Sequence, residues 1–188
     1  MPYAVFGWNL ALLIGVGFVT ALIFTEFWTK KGTAWGLLDL PRERRVHATP
    51  RPYTGGLAIV TAFSLTLLLT GGLSFPYLGP ILGGGVVIFL LGLIDDRHDL
   101  SSGLKLLVQF LVATFVTCAG IRIGYLTNPF GDMVALGWKG YPLTIIWLVL
   151  TINVINLIDG LDGLAAGVSA IAGLSLLVIG LSLGQAAA

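Results

Sequence analysis

Apolar residues in this chain come in long blocks rather than in alternation with polar ones. Six blocks stand out, at about 4–24, 55–75, 78–94, 104–121, 143–158 and 164–183. A helix rises about 1.5 Å per residue, so a block near 20 residues reaches across the roughly 30 Å hydrocarbon layer of a bilayer. The pattern predicts an all-α, polytopic protein of about six transmembrane helices, forming one integral-membrane unit over residues 1–188. Polar stretches at 25–54, 95–103 and 159–163 separate alternate pairs of blocks. The remaining connection, 123–142, carries Tyr125, Phe130, Trp138 and Tyr141 and predicts an interfacial hairpin.

Charge orients the blocks. The first basic residue is Lys30, so the first block lacks the positive front of a cleavable signal and reads as a membrane helix with its N-terminus outside. Lys30, Lys31, Arg42, Arg44, Arg45, Arg51, Arg97 and Lys105 fall in or beside the three polar stretches. Only Arg122 and Lys139 fall elsewhere, which places those stretches in the cytoplasm by the excess of basic residues found there. Composition agrees: the chain is 56% hydrophobic and 10% charged, where soluble domains are about one quarter charged. A net charge of +1 gives no reason to expect a nucleic-acid partner. The lone Cys118 excludes an internal disulfide.

Against this background three polar clusters stand out, all on the predicted cytoplasmic side. Asn153, Asn156, Asp159 and Asp162 recur every three residues at the end of an apolar run, followed or split by Gly160 and Gly163. On a helix that spacing makes a slanting stripe of oxygens, the donor type a hard cation such as Mg²⁺ takes. Asp95 and Asp96 are adjacent at another block's end, with Asp99 close by. Two neighbouring carboxylates repel unless a cation or a shared proton relieves them, so they suit metal binding or proton transfer. Capping of the next helix by Asp99 or Ser101 is the plainer use of those two residues. The third cluster, Asp39 to His47 with Pro50, Pro52 and Gly55-Gly56, carries Arg42, Arg44, Arg45 and Arg51. Guanidinium groups grip phosphate in a fork, although a basic loop also serves simply to fix topology. Together the clusters point to metal-assisted transfer of a phosphoryl-linked group at a membrane surface.

The three segments resemble the polyprenyl-phosphate N-acetylhexosamine-1-phosphate transferases of bacterial envelope synthesis. The matching residues are Asp39, Pro41, Arg44, Arg45, His47, Pro52, Gly55 and Gly56; then Gly92, Asp95, Asp96 and Asp99; then Asn153, Asn156, Asp159, Gly160, Asp162 and Gly163. The resemblance implies an enzyme of the bacterial plasma (inner) membrane with its active face in the cytoplasm. It would move a sugar 1-phosphate, N-acetylglucosamine 1-phosphate by motif wording, from a UDP-sugar to undecaprenyl phosphate. It implies Asp95 and Asp96 as catalytic residues, and Asn156 as a ligand of Mg²⁺, or Mn²⁺ in its place, with Asp95 and Asp96 as further ligands. Arg44, Arg45, His47, Asp99, Asn153, Asp159 and Asp162 become substrate-binding candidates, and a homodimer is compatible with it. The family has about ten or eleven membrane helices and later acidic and His-containing motifs. This chain therefore resembles an N-terminal portion, expected to be inactive alone. A non-catalytic membrane protein, the muramoyl-pentapeptide branch of the family and a transporter half are the competing expectations. A transporter half would place its carboxylates near the midplane rather than at one face.

Overall fold

The structure, a computed structural model, describes residues 10–39, 51–69, 77–127, 131–161 and 163–182, with the backbone alone at 10–12, 39, 51 and 181. Six helices carry the described residues: α1 (Leu10–Ala34), α2 (Gly55–Leu69), α3 (Leu78–His98), α4 (Ser102–Cys118), α5 (Gly140–Ile158) and α6 (Leu164–Ser182). Two short strand pairs sit in the connections. β1 (Leu38–Asp39) pairs antiparallel with β2 (Arg51–Pro52), and β3 (Tyr125–Thr127) with β4 (Met133–Ala135).

The chain is a helical membrane protein. Leu13–Ala34, Leu78–His98 and Gly137–Ile158 are long and apolar enough to cross a bilayer, with mean hydropathies of 1.3, 2.0 and 1.9. The other apolar helices are shorter; α2 has 15 residues, about 22 Å of rise. Large apolar side chains point outward along every helix: Phe18 is 64% exposed, Leu157 82% and Leu176 70%. Lipid tails accept such a surface at little cost, whereas water does not. The interior is built of small residues instead. Ala58, Ala62, Ala113, Thr117 and Thr144 are among the buried ones, and backbones thereby come close.

Two helix ends depart from the sequence expectation. The first helix was expected to stop at Phe24, with a polar loop from 25, yet α1 runs on to Ala34. Glu26 and Lys30 face each other one turn apart at 2.6 Å, and Thr33 returns its hydroxyl to the Thr29 carbonyl. These polar groups favour continued helix once it leaves the apolar layer. Gly36 then ends it at φ +66°: its N–H reaches the Thr33 carbonyl and that of Leu37 reaches Gly32, the paired bonds of a left-handed helix stop. Likewise Asp95 and Asp96, expected in a loop beginning at 95, lie in the last turn of α3. Asp99 is its left-handed cap at φ 45°.

Packing follows chain order: α1 lies on α2, α3 on α4, α4 on α5, and α6 touches α5. Thr54, 1% exposed, joins α1 to the start of α2 by donating to the Trp28 carbonyl at 2.8 Å. Further along the pair, Trp28 Nε1 donates to Thr61 Oγ1 and the hydroxyls of Thr20 and Thr66 meet at 3.0 Å. Gly56 lies against the Phe89 ring and ties α2 to α3. Gly84 lies against Val112 and Val116, which closes the α3–α4 seam at the end away from Asp95. At that far end the Ile123 N–H donates to Thr144 Oγ1 at 2.9 Å, and the Arg122 guanidinium stands over the Tyr141 ring. The segment expected as a hairpin contains the β3–β4 pair, with Leu126 opposite Val134.

Candidate active site

A cleft of about 310 Å³ opens between α3, α4 and α5. Helix α3 contributes Ile88, Leu91, Gly92 and Asp95, and α4 contributes Ser102, Lys105, Leu106 and Gln109. Both quartets have the spacing i, i+3, i+4, i+7, the stripe one helix face presents to a neighbour. Helix α5 completes the wall with Ile152, Asn153 and Asn156. The polar groups gather where α3 ends, α4 begins and α5 approaches its end.

Asp95 is the most heavily engaged of them. Its Oδ2 accepts from Lys105 Nζ at 2.9 Å, its Oδ1 from the Leu100 N–H at 2.9 Å, and its main-chain carbonyl from the Asp99 N–H at 3.0 Å. The turn between α3 and α4 is thus folded around one residue. Ser101 opens α4 by accepting from the Leu104 N–H at 3.4 Å, the capping role foreseen for Ser101 or Asp99. Asp95 is acidic at a helix C-terminus and Lys105 basic in a helix first turn. Each opposes its own helix dipole, and each is offset by the other.

Across the cleft, Asn153 Nδ2 donates to Gln109 Oε1 at 2.6 Å and to the Val149 carbonyl at 2.8 Å. Gln109 is 7% exposed, a polar side chain set deep in an otherwise apolar helix. This bond and the Asp95–Lys105 pair bind α4 to its two neighbours at successive turns.

Of the residues singled out from the sequence, Asp95, Asn153 and Asn156 line the cleft. Asp96, Asp99 and Asp159 are exposed and do not line it; Asp159 caps the end of α5. Arg44, Arg45, His47 and Asp162 lie outside the described residues. The β1–β2 pair, with Asp39 opposite Arg51, joins the two flanks of the basic segment. Lys105 and Gln109 were not foreseen as site residues. Their signal was present in the stripe Ser102, Lys105, Leu106, Gln109, which runs polar residues down one face of an apolar helix.

Among the described residues no three His, Cys, Asp or Glu side chains converge as a ready-made metal cage. The cleft offers one carboxylate and the amide oxygens of Asn156 and Asn153. Mg²⁺ is commonly held by one or two carboxylates together with substrate phosphates and water. Each Asp95 oxygen, with one bond made, keeps a further acceptor direction, so the donor set fits such an ion shared with a phosphate.

Residues 78–188, which contain the whole cleft, match the family model described as Glycosyl transferase family 4. A probable undecaprenyl-phosphate N-acetylglucosaminyl 1-phosphate transferase of Bacillus subtilis (strain 168) is 38% identical over 171 residues, covering 90% of this chain and 48% of that protein. A decaprenyl-phosphate N-acetylglucosaminephosphotransferase of Mycolicibacterium smegmatis is 32% identical over 180 residues, 88% of this chain and 44% of that protein. An undecaprenyl-phosphate alpha-N-acetylglucosaminyl 1-phosphate transferase of Yersinia pestis is 28% identical over 138 residues, 72% and 38% respectively. The chain spans about half the length of these relatives or less.

Proposed function

This chain belongs to glycosyl transferase family 4, and from that premise we propose that it forms part of an enzyme moving N-acetylglucosamine 1-phosphate from a UDP-sugar to a polyprenyl phosphate. The observation that carries the reading is the Asp95–Lys105 pair in a cleft shared with Asn153 and Asn156. Substrates named for the relatives carry phosphate and a long apolar tail. The cleft offers an ammonium for the first, and exposed apolar helix faces flank it for the second.

In the proposed reaction an oxygen of the lipid phosphate bonds to the sugar-bearing β-phosphorus of the donor. The bond from that phosphorus to the bridging oxygen breaks, and UMP leaves with the electron pair. Lys105 turns its ammonium toward phosphate oxygens and lowers the cost of bringing two anions together. Asp95, released from Lys105, receives the lipid phosphate's proton or orients that phosphate, with Asp96 beside it on the same turn. A Mg²⁺ ion, when bound by Asn156 and Asp95, would supply further charge neutralisation on the diphosphate. The cleft then faces the bacterial cytoplasm, the side on which a nucleotide-activated donor is available.

Membranes carrying the full-length protein, mixed with undecaprenyl phosphate, radiolabelled UDP-N-acetylglucosamine and Mg²⁺, test the reading. Lipid-linked label that disappears on chelation is the expected result. Absence of label with any UDP-N-acetylhexosamine overturns it.

A further inference from the structure

Gln109 is 7% exposed and lines the cleft, yet only half of its amide is bonded. The Val149 main-chain carbonyl can only accept, so the Asn153 group beside it, at 2.8 Å, is the N–H₂. An amide nitrogen only donates, so its second neighbour, 2.6 Å away, must also be an acceptor, and Gln109 turns Oε1 to it. Gln109 Nε2 then lies on the free edge of its own amide, and it has no hydrogen-bond partner among the described residues. A buried donor left without an acceptor is costly, so such a group marks a place that something else fills.

A second observation lies at the same depth. The contacts of Asp95 with Lys105 and of Gly84 with Val116 set the register of α3 against α4. Gly92, three residues before Asp95, and Gln109, four after Lys105, therefore stand level, one turn deeper than the ion pair. Nothing lies within 4 Å of where a Cβ of Gly92 would be, whereas one at Gly84 would meet Val112 and Val116. Gly84 is small because a helix packs on it. Gly92 has no such reason among the described residues, and its missing side chain leaves room in the cleft wall.

We infer that Gln109 and Gly92 form a subsite in which Gln109 Nε2 donates to an uncharged oxygen, carbonyl or hydroxyl, of the sugar on the nucleotide donor. The inference rests on the proposed transferase reading and extends it from the phosphates to the sugar. Ile88, Leu106 and Ile152 line the same cleft, an apolar setting that penalises a charged oxygen away from Lys105. Reach selects the sugar. One helix turn, about 5.4 Å, separates Gln109 from the level of Lys105, where the phosphates are placed. The sugar is bonded directly to the β-phosphate, while the uracil stands beyond a second phosphate and a ribose.

The test titrates the full-length protein, with Mg²⁺ and without polyprenyl phosphate, with UDP-N-acetylglucosamine and separately with UDP. Gln109→Met keeps length and apolar bulk but has no N–H to give. It is expected to weaken binding of UDP-N-acetylglucosamine about tenfold, the worth of one hydrogen bond, and to leave that of UDP within about threefold. Gly92→Ala leaves the Gln109–Asn153 bond intact and adds one methyl group to the open space. It is expected to weaken UDP-N-acetylglucosamine in the same selective way without lowering the thermal midpoint, since no atom stands in its path. Unchanged binding of UDP-N-acetylglucosamine in Gln109→Met overturns the inference and leaves the amide to a bound water. Equal weakening of both ligands, the mark of a packing role alone, overturns it too. So does a loss in Gln109→Met that Gly92→Ala does not share, which would assign the effect to the freed Asn153. If Gln109→Met does not insert in the membrane, Gly92→Ala decides alone, and its indifference to the sugar overturns the inference. A parent protein that binds neither ligand would refute the transferase reading itself, a different result from a parent that binds both while positions 92 and 109 make no difference.

Discussion

The carboxylate of Asp95 and the ammonium of Lys105 meet at 2.9 Å across the junction of two helices, each side chain about one third exposed. Neither helix favours the charge it carries there, and the pairing resolves both conflicts. As a partly exposed ion pair it contributes little to stability, about 0–1 kcal/mol. Its weight falls on chemistry. Lys105→Met in the full-length protein is expected to shift the thermal midpoint by only a few degrees and to reduce kcat/KM about a hundredfold or more. Lys105→Arg is expected to fall between. Equal activity of Lys105→Met and the parent would remove Lys105 from the site.

Asp95→Asn removes the charge while keeping an oxygen for the Leu100 N–H. Asn156→Ala removes an oxygen from the opposite wall. Both are expected to cut transfer by about a hundredfold or more without reducing the amount of protein inserted in the membrane. Membrane yield and lipid-linked label, measured on one preparation, separate the two effects. Full activity of both variants would refute the assignment.

The start of α4 rests on a long capping bond, Leu104 N–H to Ser101 Oγ at 3.4 Å. Ser101→Ala is expected to cost about 0.5–1 kcal/mol, the low end for loss of an N-cap. Because Lys105 stands in the turn that Ser101 caps, a modest fall in activity should accompany it. Unfolding in detergent, followed by far-ultraviolet dichroism, measures the first and the transfer assay the second.

Gly32 admits no side chain. A Cβ there would stand 2.6 Å from Thr54 Oγ1 and 2.9 Å from Pro52 Cβ. Gly32→Ala is expected to destabilise the α1–α2 corner by about 1–3 kcal/mol, the usual cost of overpacking. Gly15→Ala, with open space around it, is the matched control and should change little.

The helices could be read from the sequence because lipid demands long unbroken apolar runs, and few other folds tolerate them. Their ends could not, because helix formation does not stop where the apolar layer stops: Glu26–Lys30 carries α1 onward and Asp95 stays inside α3. The site was legible where polar groups were conspicuous. Asp95, Asn153 and Asn156 interrupt apolar runs and do line the cleft. Asp96 stands about 100° round the helix from Asp95, and Asp99 and Asp159 finish helices, so these three lie beside the cleft wall and not in it. Lys105 was absorbed into the tally of basic residues that set topology. Gln109 was not singled out from the sequence; only the fold sets Asn153 beside it.

The glycine seam between α3 and α4 has a mechanical consequence. Gly84 presses against Val112 and Val116 eleven residues, or about 16 Å, along α3 from Asp95. The two helices are therefore held at both ends, by this glycine contact and by the turn through Asp95 and Lys105, and the cleft lies toward the second. The spacing of the two helices is thus set in part by a contact that is not among the residues lining the cleft. A bulkier residue at position 84 would press the helices apart at that end and change the angle at which they cross, without altering any residue of the cleft itself.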